Sequence, residues 1–189
     1  MVFGKMGFSK KTREEVYNKT NGHCAYCGCK LPKRWHIDHV MPINRGIMFN
    51  RPAYMDIGTD DIDNLLPACP TCNINKSNLS VETYRQSILS NFTSLFKAQP
   101  MFRAALHYGV IKHNPNRFEF YFEKQGIQIK GLYEYEIAFY EHHINIIQKR
   151  KEEYKDSSFL INAYELNIKE YTEIINYYKV LVDKQTLKN

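Results

Sequence analysis

The sequence predicts an α+β fold, in which a small cysteine-rich core precedes a β-hairpin and a pair of long helices. Three observations lead to this prediction. All five cysteines lie between residues 24 and 72, short β-type runs lie among them, and the second half of the chain carries apolar residues at helical spacing. A length of 189 residues suits one domain, or one small domain with an extension.

The first element is a short helix over residues 9–20. Ser9 is a suitable N-cap, and Asn21-Gly22 is typical of a helix end. Lys10 and Lys11 fall in the first turn, where the helix dipole disfavours cations. A contact with phosphate would compensate for this placement, although a solvated surface explains it as well.

Two short strands and a helix are expected around the later cysteines. Residues 35–41 are strand-like, and residues 64–66 form a second β-type run. Residues 43–63, which separate them, contain Gly and Pro and predict a loop. A helix can start in the segment Asn-Ile-Asn-Lys-Ser-Asn over residues 73–78.

The remainder of the chain predicts helices and one hairpin. Residues 80–97 carry apolar side chains at helical spacing, and residues 117–130 predict a β-hairpin that turns at Lys124-Gln125-Gly126. Two apolar stripes then predict an antiparallel helical pair, separated by a loop at residues 156–158. The stripes are Tyr133, Ile137, Tyr140, Ile144 and Ile147, then Leu160, Tyr164, Ile168, Tyr171, Ile175, Tyr178 and Val182.

Composition and charge narrow the class of protein. No run of about 18 apolar residues predicts a membrane span, and the N-terminus lacks the apolar region of a secretory signal, so a cytoplasmic protein is expected. Residues 1–100 hold 13 Lys and Arg against 8 Asp and Glu, whereas residues 101–189 hold 13 against 12. A basic N-terminal half suits a polyanion, nucleic acid first, although ordinary surface scatter gives the same balance.

The cysteines predict a structural zinc site. Cys24 and Cys27 form one Cys-x-x-Cys pair, and Cys69 and Cys72 form a second, with 41 residues between the pairs. Each spacing lets a tight turn present two thiolates to one tetrahedral ion, and four thiolates leave no position for substrate. One such pair alone could be a redox pair. Cys29 remains outside this set, as a small filler or an exposed thiol.

The insert between the cysteine pairs contains the run His-Ile-Asp-His at residues 36–39. In a regular strand His36 and Asp38 face one side while His39 faces the other. Asp38 and His39 therefore reach one centre only if the strand twists or ends there, and Pro42 favours an ending. The alternative is a surface histidine pair beside a salt-bridging aspartate.

The order of these motifs resembles the HNH, or ββα-metal, nuclease family. The resemblance covers residues 9–80 and rests on Cys-x-x-Cys, then HIDHVMP, a glycine-containing loop, and DNLLPACPTCNINK. It implies a zinc-stabilised ββα-metal core of the treble-clef type and a DNA endonuclease. In the family, one divalent cation is held against the scissile phosphate.

The resemblance also implies residue roles. His39 matches the general base, Asp38 a ligand of the catalytic cation, and Asn64 the asparagine that braces the hairpin loop. Asn73 matches the last position of the family name, often a histidine; the asparagine here favours a hard ion, Mg²⁺ or Mn²⁺. His36 has no fixed family role.

The expected partner is double-stranded DNA. Four basic residues are expected to contact it: Lys10, Lys11, Arg34 and Lys76. Every candidate catalytic residue precedes residue 80, so residues 1–100 are predicted as the nuclease domain. Residues 101–189 are expected to set target choice, form a homodimer or bind a protein partner.

Two rival functions are weaker. A zinc deaminase carries His-x-Glu and Pro-Cys-x-x-Cys, but this chain has Asp38 and Ala68 at the corresponding positions, and its first cysteine pair would have no role. A non-catalytic zinc module that binds DNA explains the cysteines and the charge. It gives no reason for His39, Asp38 and Asn73 to occur together.

Overall fold

A computed structural model describes residues 7–43, 52–112 and 118–186 of the chain. The chain divides into two compact units. Unit 1 comprises Met1–Val40 and Asp60–Gln128, and unit 2 comprises Met41–Thr59 and Ile129–Asn189. The division at residue 100 concerns independent folding and function, and it stays a prediction. Over the described ranges, no helix combines the length and the apolar character needed to cross a membrane.

Unit 1 contains the predicted two strands and the helix that follows them. Ser9 caps the first helix as expected, because its hydroxyl accepts a hydrogen bond of 3.1 Å from the Thr12 amide. Pro100 begins a further helix that was not predicted, at the N-terminal position that proline favours. The elements are α1 (Lys10–Asn18), β1 (His36–His39), a 3₁₀ turn (Ile62–Asn64), β2 (Leu65–Ala68), α2 (Pro70–Lys76), α3 (Val81–Ala98), α4 (Pro100–His107) and α5 (Tyr121–Lys124).

The two strands form an antiparallel pair that continues directly into α2. The register places His36 opposite Ala68 and His39 opposite Leu65. All four residues of β2 are buried, so β2 is the inner strand of the pair and β1 is the more exposed one. Cys69 then caps α2, since its Sγ accepts from the amide of Cys72 at 3.5 Å.

The β-hairpin predicted over residues 117–130 is wrong. Its described part instead contains the single-turn helix α5, whose first two residues donate hydrogen bonds to the first cysteine turn. The amide of Tyr121 donates to the Tyr26 carbonyl at 3.0 Å, and that of Phe122 donates to the Ala25 carbonyl at 2.7 Å. The aromatic run thus finds its hydrogen bonds in a distant segment rather than in a neighbouring strand.

A buried arginine holds this segment to α3. The Arg85 guanidinium binds both carboxylate oxygens of Glu123, at 2.7 and 2.9 Å, and its Nε lies 3.1 Å from Oε2 of Glu82. It also lies over the ring of Phe120, with 4.5 Å between the guanidinium carbon and the ring centroid. A fully buried charge is stable only with such partners, so residues 118–124 are a structural part of unit 1.

We expect Phe122→Ala to lower the free energy of unfolding by about 3–5 kcal/mol, because the ring is lost from a packed core. The Phe122 side chain is only 1% exposed, whereas Phe159, in unit 2, is 79% exposed. Phe159→Ala is therefore the matched control and should change stability by less than about 0.5 kcal/mol. Urea denaturation measures both, and equal stability of the two variants would contradict the packing described here.

Unit 2 contains the predicted helical pair, with α6 (Leu132–Glu153) and α7 (Ser158–Thr186). Tyr140 meets Tyr171 with 4.9 Å between ring centroids, and Tyr133 meets Tyr178 at 5.7 Å. These pairs run in opposite directions along the two helices, so the pair is antiparallel as expected. A 3₁₀ turn (Ala53–Asp56) also belongs to this unit.

The loop between β1 and β2 contributes an aromatic anchor to unit 2. Tyr54 is buried, and its ring packs edge-on against those of Tyr135 and Phe139 at 5.6 and 5.3 Å. The part of the predicted loop at residues 44–51 lies outside the described residues. Residues 52–59 of the loop, which are described and belong to unit 2, are held on α6 by this anchor.

Candidate functional site

The four paired cysteines come together as predicted. The Sγ atoms of Cys24, Cys27, Cys69 and Cys72 all lie within 4.8 Å of one another, and those of Cys27 and Cys69 are 3.9 Å apart. A tetrahedral zinc ion with Zn–S bonds of about 2.3 Å needs sulfurs about 3.8 Å apart. Among the described residues, no other group of three or more His, Cys, Asp and Glu converges in this way. The donor set therefore fits a closed structural zinc site.

The polypeptide supports negative charge on these sulfurs. The Cys69 amide donates to Sγ of Cys24 at 3.3 Å. A hydrogen bond with the Cys72 thiol, supported by such amides, lowers the pKa of Cys24 to about 4, whereas burial raises the pKa of Cys69. A bound zinc ion would displace the protons that these thiols otherwise hold, because all four ligands bind zinc as thiolates. Cys29 is exposed and lies outside the cluster.

Asp38 lies in a buried polar pocket between β1 and α2. Its side chain is 7% exposed, and its Oδ2 lies 3.2 Å from the ammonium nitrogen of Lys76. The hydroxyl of Tyr26 donates to the same Oδ2. Burial raises the pKa of Asp38, and the Lys76 charge and the Tyr26 hydroxyl oppose that rise.

The prediction that Lys76 contacts phosphate is wrong. Its side chain is fully buried, and its Nζ donates to the His39 carbonyl at 2.9 Å in addition to pairing with Asp38. Lys76 lies in the last turn of α2, which faces β1. This placement turns the ammonium towards the strand rather than towards solvent.

His39 is held by an acidic partner that sequence reasoning missed. Its Nε2 lies 2.8 Å from Oδ1 of Asp60. The His39 side chain is 17% exposed and that of Asp60 is 60% exposed, so this pair lies at the protein surface. The one available signal was the aspartate-rich end of the loop, and nothing in it distinguished Asp60 from its neighbours.

Asn73 lies beside the other histidine of the run. Its Nδ2 is 3.3 Å from Nδ1 of His36. Asn73 and Lys76 are three positions apart on α2, and they meet His36 and Asp38, which are two positions apart on β1. Asp38 and Asn73 thus belong to one strand–helix face, as the alternation of a strand requires.

The other predicted site residues are placed as follows. Asn64 is buried, and its carbonyl accepts from the Val40 amide at 2.9 Å, which extends the strand pairing beyond His39. Lys10 and Lys11 are exposed in the first turn of α1, and Arg34 is exposed just before β1. Contact of these three with DNA stays a prediction.

Known proteins resemble the segment that holds this site. Residues 24–79 match the family model described as HNH endonuclease. A curated protein of Bacillus subtilis (strain 168), the "SPbeta prophage-derived putative HNH endonuclease YoqL", is 31% identical over 77 residues. That alignment covers 39% of this chain and spans 31% of the length of the relative.

One solved structure also matches part of the chain. It is the type II-C Cas9 enzyme from Actinomyces naeslundii, with 23% sequence identity and a TM-score of 0.33. The match covers 46% of this chain and 8% of the Cas9 chain.

The family match and the site coincide in sequence. The matched residues include the four clustered cysteines, both strands and α2. Asp38, His39 and Asn73 fall inside the same range. The segment of this chain that resembles the HNH endonuclease family, residues 24–79, is therefore the segment that holds the site.

Proposed function

We propose that this protein is a metal-dependent DNA endonuclease in which His39 is the general base and Asp38 and Asn73 bind one divalent cation. The observation that carries the proposal is the arrangement of β1, β2 and α2. It brings the HIDH run against a helix that begins at the second pair of clustered cysteines. A phosphodiester needs a base for the attacking water and positive charge at the developing oxyanions.

The donor set fits a hard cation. Asp38 offers a carboxylate oxygen and Asn73 an amide oxygen on the same strand–helix face, and such oxygens suit Mg²⁺ or Mn²⁺. The four thiolates belong to the separate zinc cluster. When bound, the cation would polarise a phosphoryl oxygen and stabilise the leaving oxygen.

His39 is suited to accept a proton. With Nε2–H donating to Asp60, the ring is fixed and its Nδ1 carries the lone pair. Asp60 also stabilises the imidazolium that forms when the ring takes a proton from water. Lys76 holds the His39 carbonyl at 2.9 Å, so both the backbone and the ring of the base are oriented.

DNA is the proposed substrate, and its double-stranded form is the form we favour. Lys10, Lys11 and Arg34 offer exposed positive charge for the phosphate backbone. We assign target choice, dimerisation or partner binding to residues 101–189. A single site of this kind cuts one strand, so double-strand cleavage would need two copies or two binding events.

Nicking of supercoiled plasmid in the presence of Mg²⁺ tests the proposal. We expect Asp38→Asn to need at least about 10-fold more Mg²⁺ for half-maximal rate, because the charged ligand is lost while an acceptor for Tyr26 and Lys76 remains. Asp156→Asn, in the exposed turn between α6 and α7, is the matched control and should behave as wild type.

One result would overturn the proposed function. If protein that contains one zinc per chain binds DNA but does not cut it with Mg²⁺ or Mn²⁺, the chain is a zinc module that binds DNA without catalysis.

A further inference from the structure

Tyr26 lies between the two ligands of the first zinc turn, in the run Cys24-Ala25-Tyr26-Cys27. It is 4% exposed, and its ring packs edge-on against Phe120 at 5.4 Å and Tyr84 at 5.7 Å. Its backbone is thus set by the cysteine turn, and its ring is confined by two aromatic neighbours. The phenol oxygen points at Asp38 and donates a hydrogen bond to its carboxylate.

The donors around Asp38 converge on a single oxygen. The Tyr26 hydroxyl donates to Oδ2, and the Lys76 ammonium lies 3.2 Å from the same atom. The described residues supply no hydrogen bond to Oδ1. Because every fully buried side-chain nitrogen or oxygen among the described residues has a hydrogen-bond partner, Oδ1 is not fully buried. One carboxylate oxygen is therefore held by two donors, and the other has no donor among the described residues, in a side chain that is 7% exposed.

We infer that Tyr26 is a positioning residue that ties the zinc turn to the hydrolytic cation. Together with Lys76 it holds Oδ2 of Asp38, so that Oδ1 is presented as the ligand atom. This inference rests on the proposed function, since it concerns the same cation. It adds that zinc does more than hold the fold: the zinc turn sets the orientation of the carboxylate that binds the second metal.

The Tyr26 hydroxyl matters for cation binding because the Lys76 ammonium lies beside the same carboxylate. Lys76 is fully buried next to Asp38, and an ammonium in that position competes with a divalent cation for the carboxylate. The phenol is a neutral donor that fixes the plane of the carboxylate. Without it, the carboxylate can rotate and offer both oxygens to Lys76, which lowers its affinity for the cation.

Mn²⁺ binding to the zinc-loaded full chain, measured without DNA by the electron paramagnetic resonance of free Mn²⁺, tests the inference. We expect wild type to bind one Mn²⁺ and Tyr26→Phe to bind it about 10–100-fold more weakly, as for other losses of a group that orients a metal ligand. Zinc content should stay at one per chain, because phenylalanine keeps the ring packing.

Two further variants separate the outcomes. Tyr135→Phe removes the hydroxyl of a buried tyrosine in unit 2, 3% exposed, and should leave Mn²⁺ binding unchanged. Asp38→Asn should abolish tight binding. If Tyr26→Phe binds Mn²⁺ as tightly as wild type while Asp38→Asn does not, the inference is overturned and the proposed function stands. If wild type binds no Mn²⁺ beyond its zinc site, both are overturned.

Discussion

Replacing His39 by alanine is expected to slow DNA cleavage by about 10²–10⁴-fold, the usual effect of losing a general base. The fold should remain intact, because the side chain lies near the surface and its partner Asp60 is 60% exposed. Loss of the imidazole therefore leaves no buried charged group without its partner. DNA binding should persist as well, since binding depends on the basic surface rather than on the base.

The measurement is plasmid nicking at saturating Mg²⁺, with zinc content and DNA affinity determined on the same protein. His107→Ala is the matched control, because His107 is exposed at the end of α4 and has no proposed catalytic role. Cleavage by His39→Ala at the wild-type rate would contradict the assignment of His39 as the general base.

Loss of one zinc ligand is expected to unfold unit 1. Cys69 contributes a sulfur to the cluster and also caps α2. Serine is itself a favourable N-cap, so Cys69→Ser removes the metal ligand while keeping a cap for the helix that carries Asn73. Binding of structural zinc is worth about 10–16 kcal/mol in small zinc domains. This is as large as the whole stability of a typical domain, about 5–15 kcal/mol.

Elemental analysis and circular dichroism together measure this effect. Cys29→Ser is the matched control: Cys29 lies in the same turn region but outside the cluster, so this variant should keep one zinc ion and the wild-type spectrum. A Cys69→Ser protein that holds zinc at full stoichiometry, or wild-type protein that contains none, would contradict the four-thiolate assignment.

The cluster of four cysteines and the helical pair could be predicted because their signals are local. Two residues between cysteines define a turn without reference to the rest of the chain. Apolar residues repeated along α6 and α7 likewise define the faces that must be buried. The strand pair and α2 could also be predicted, because they lie next to the second cysteine turn in the sequence and that turn restricts the structure on either side of it.

The features that the sequence analysis predicted wrongly or missed depend on partners that lie far away in the sequence. The run around Phe120 is rich in aromatic residues, which β-strands and buried turns favour equally, and its hydrogen-bond acceptors at residues 25 and 26 are nearly a hundred positions distant. Lys76 carries a charge that is usually solvated, and only the packing of α2 on β1 shows that it is an internal counter-ion. Asp60 could not be distinguished from three neighbouring aspartates for the same reason.

The order in which the chain emerges during synthesis gives the placement of Tyr54 a further meaning. Its segment is made between β1 and β2, yet the rings that cover it belong to α6, which leaves the ribosome about 80 residues later. Until then the rings of Tyr135 and Phe139 cannot pack on this tyrosine. A nascent or truncated chain that ends before α6 would therefore lack the two rings that pack on Tyr54, which favours recognition of the loop between β1 and β2 by chaperones and proteases.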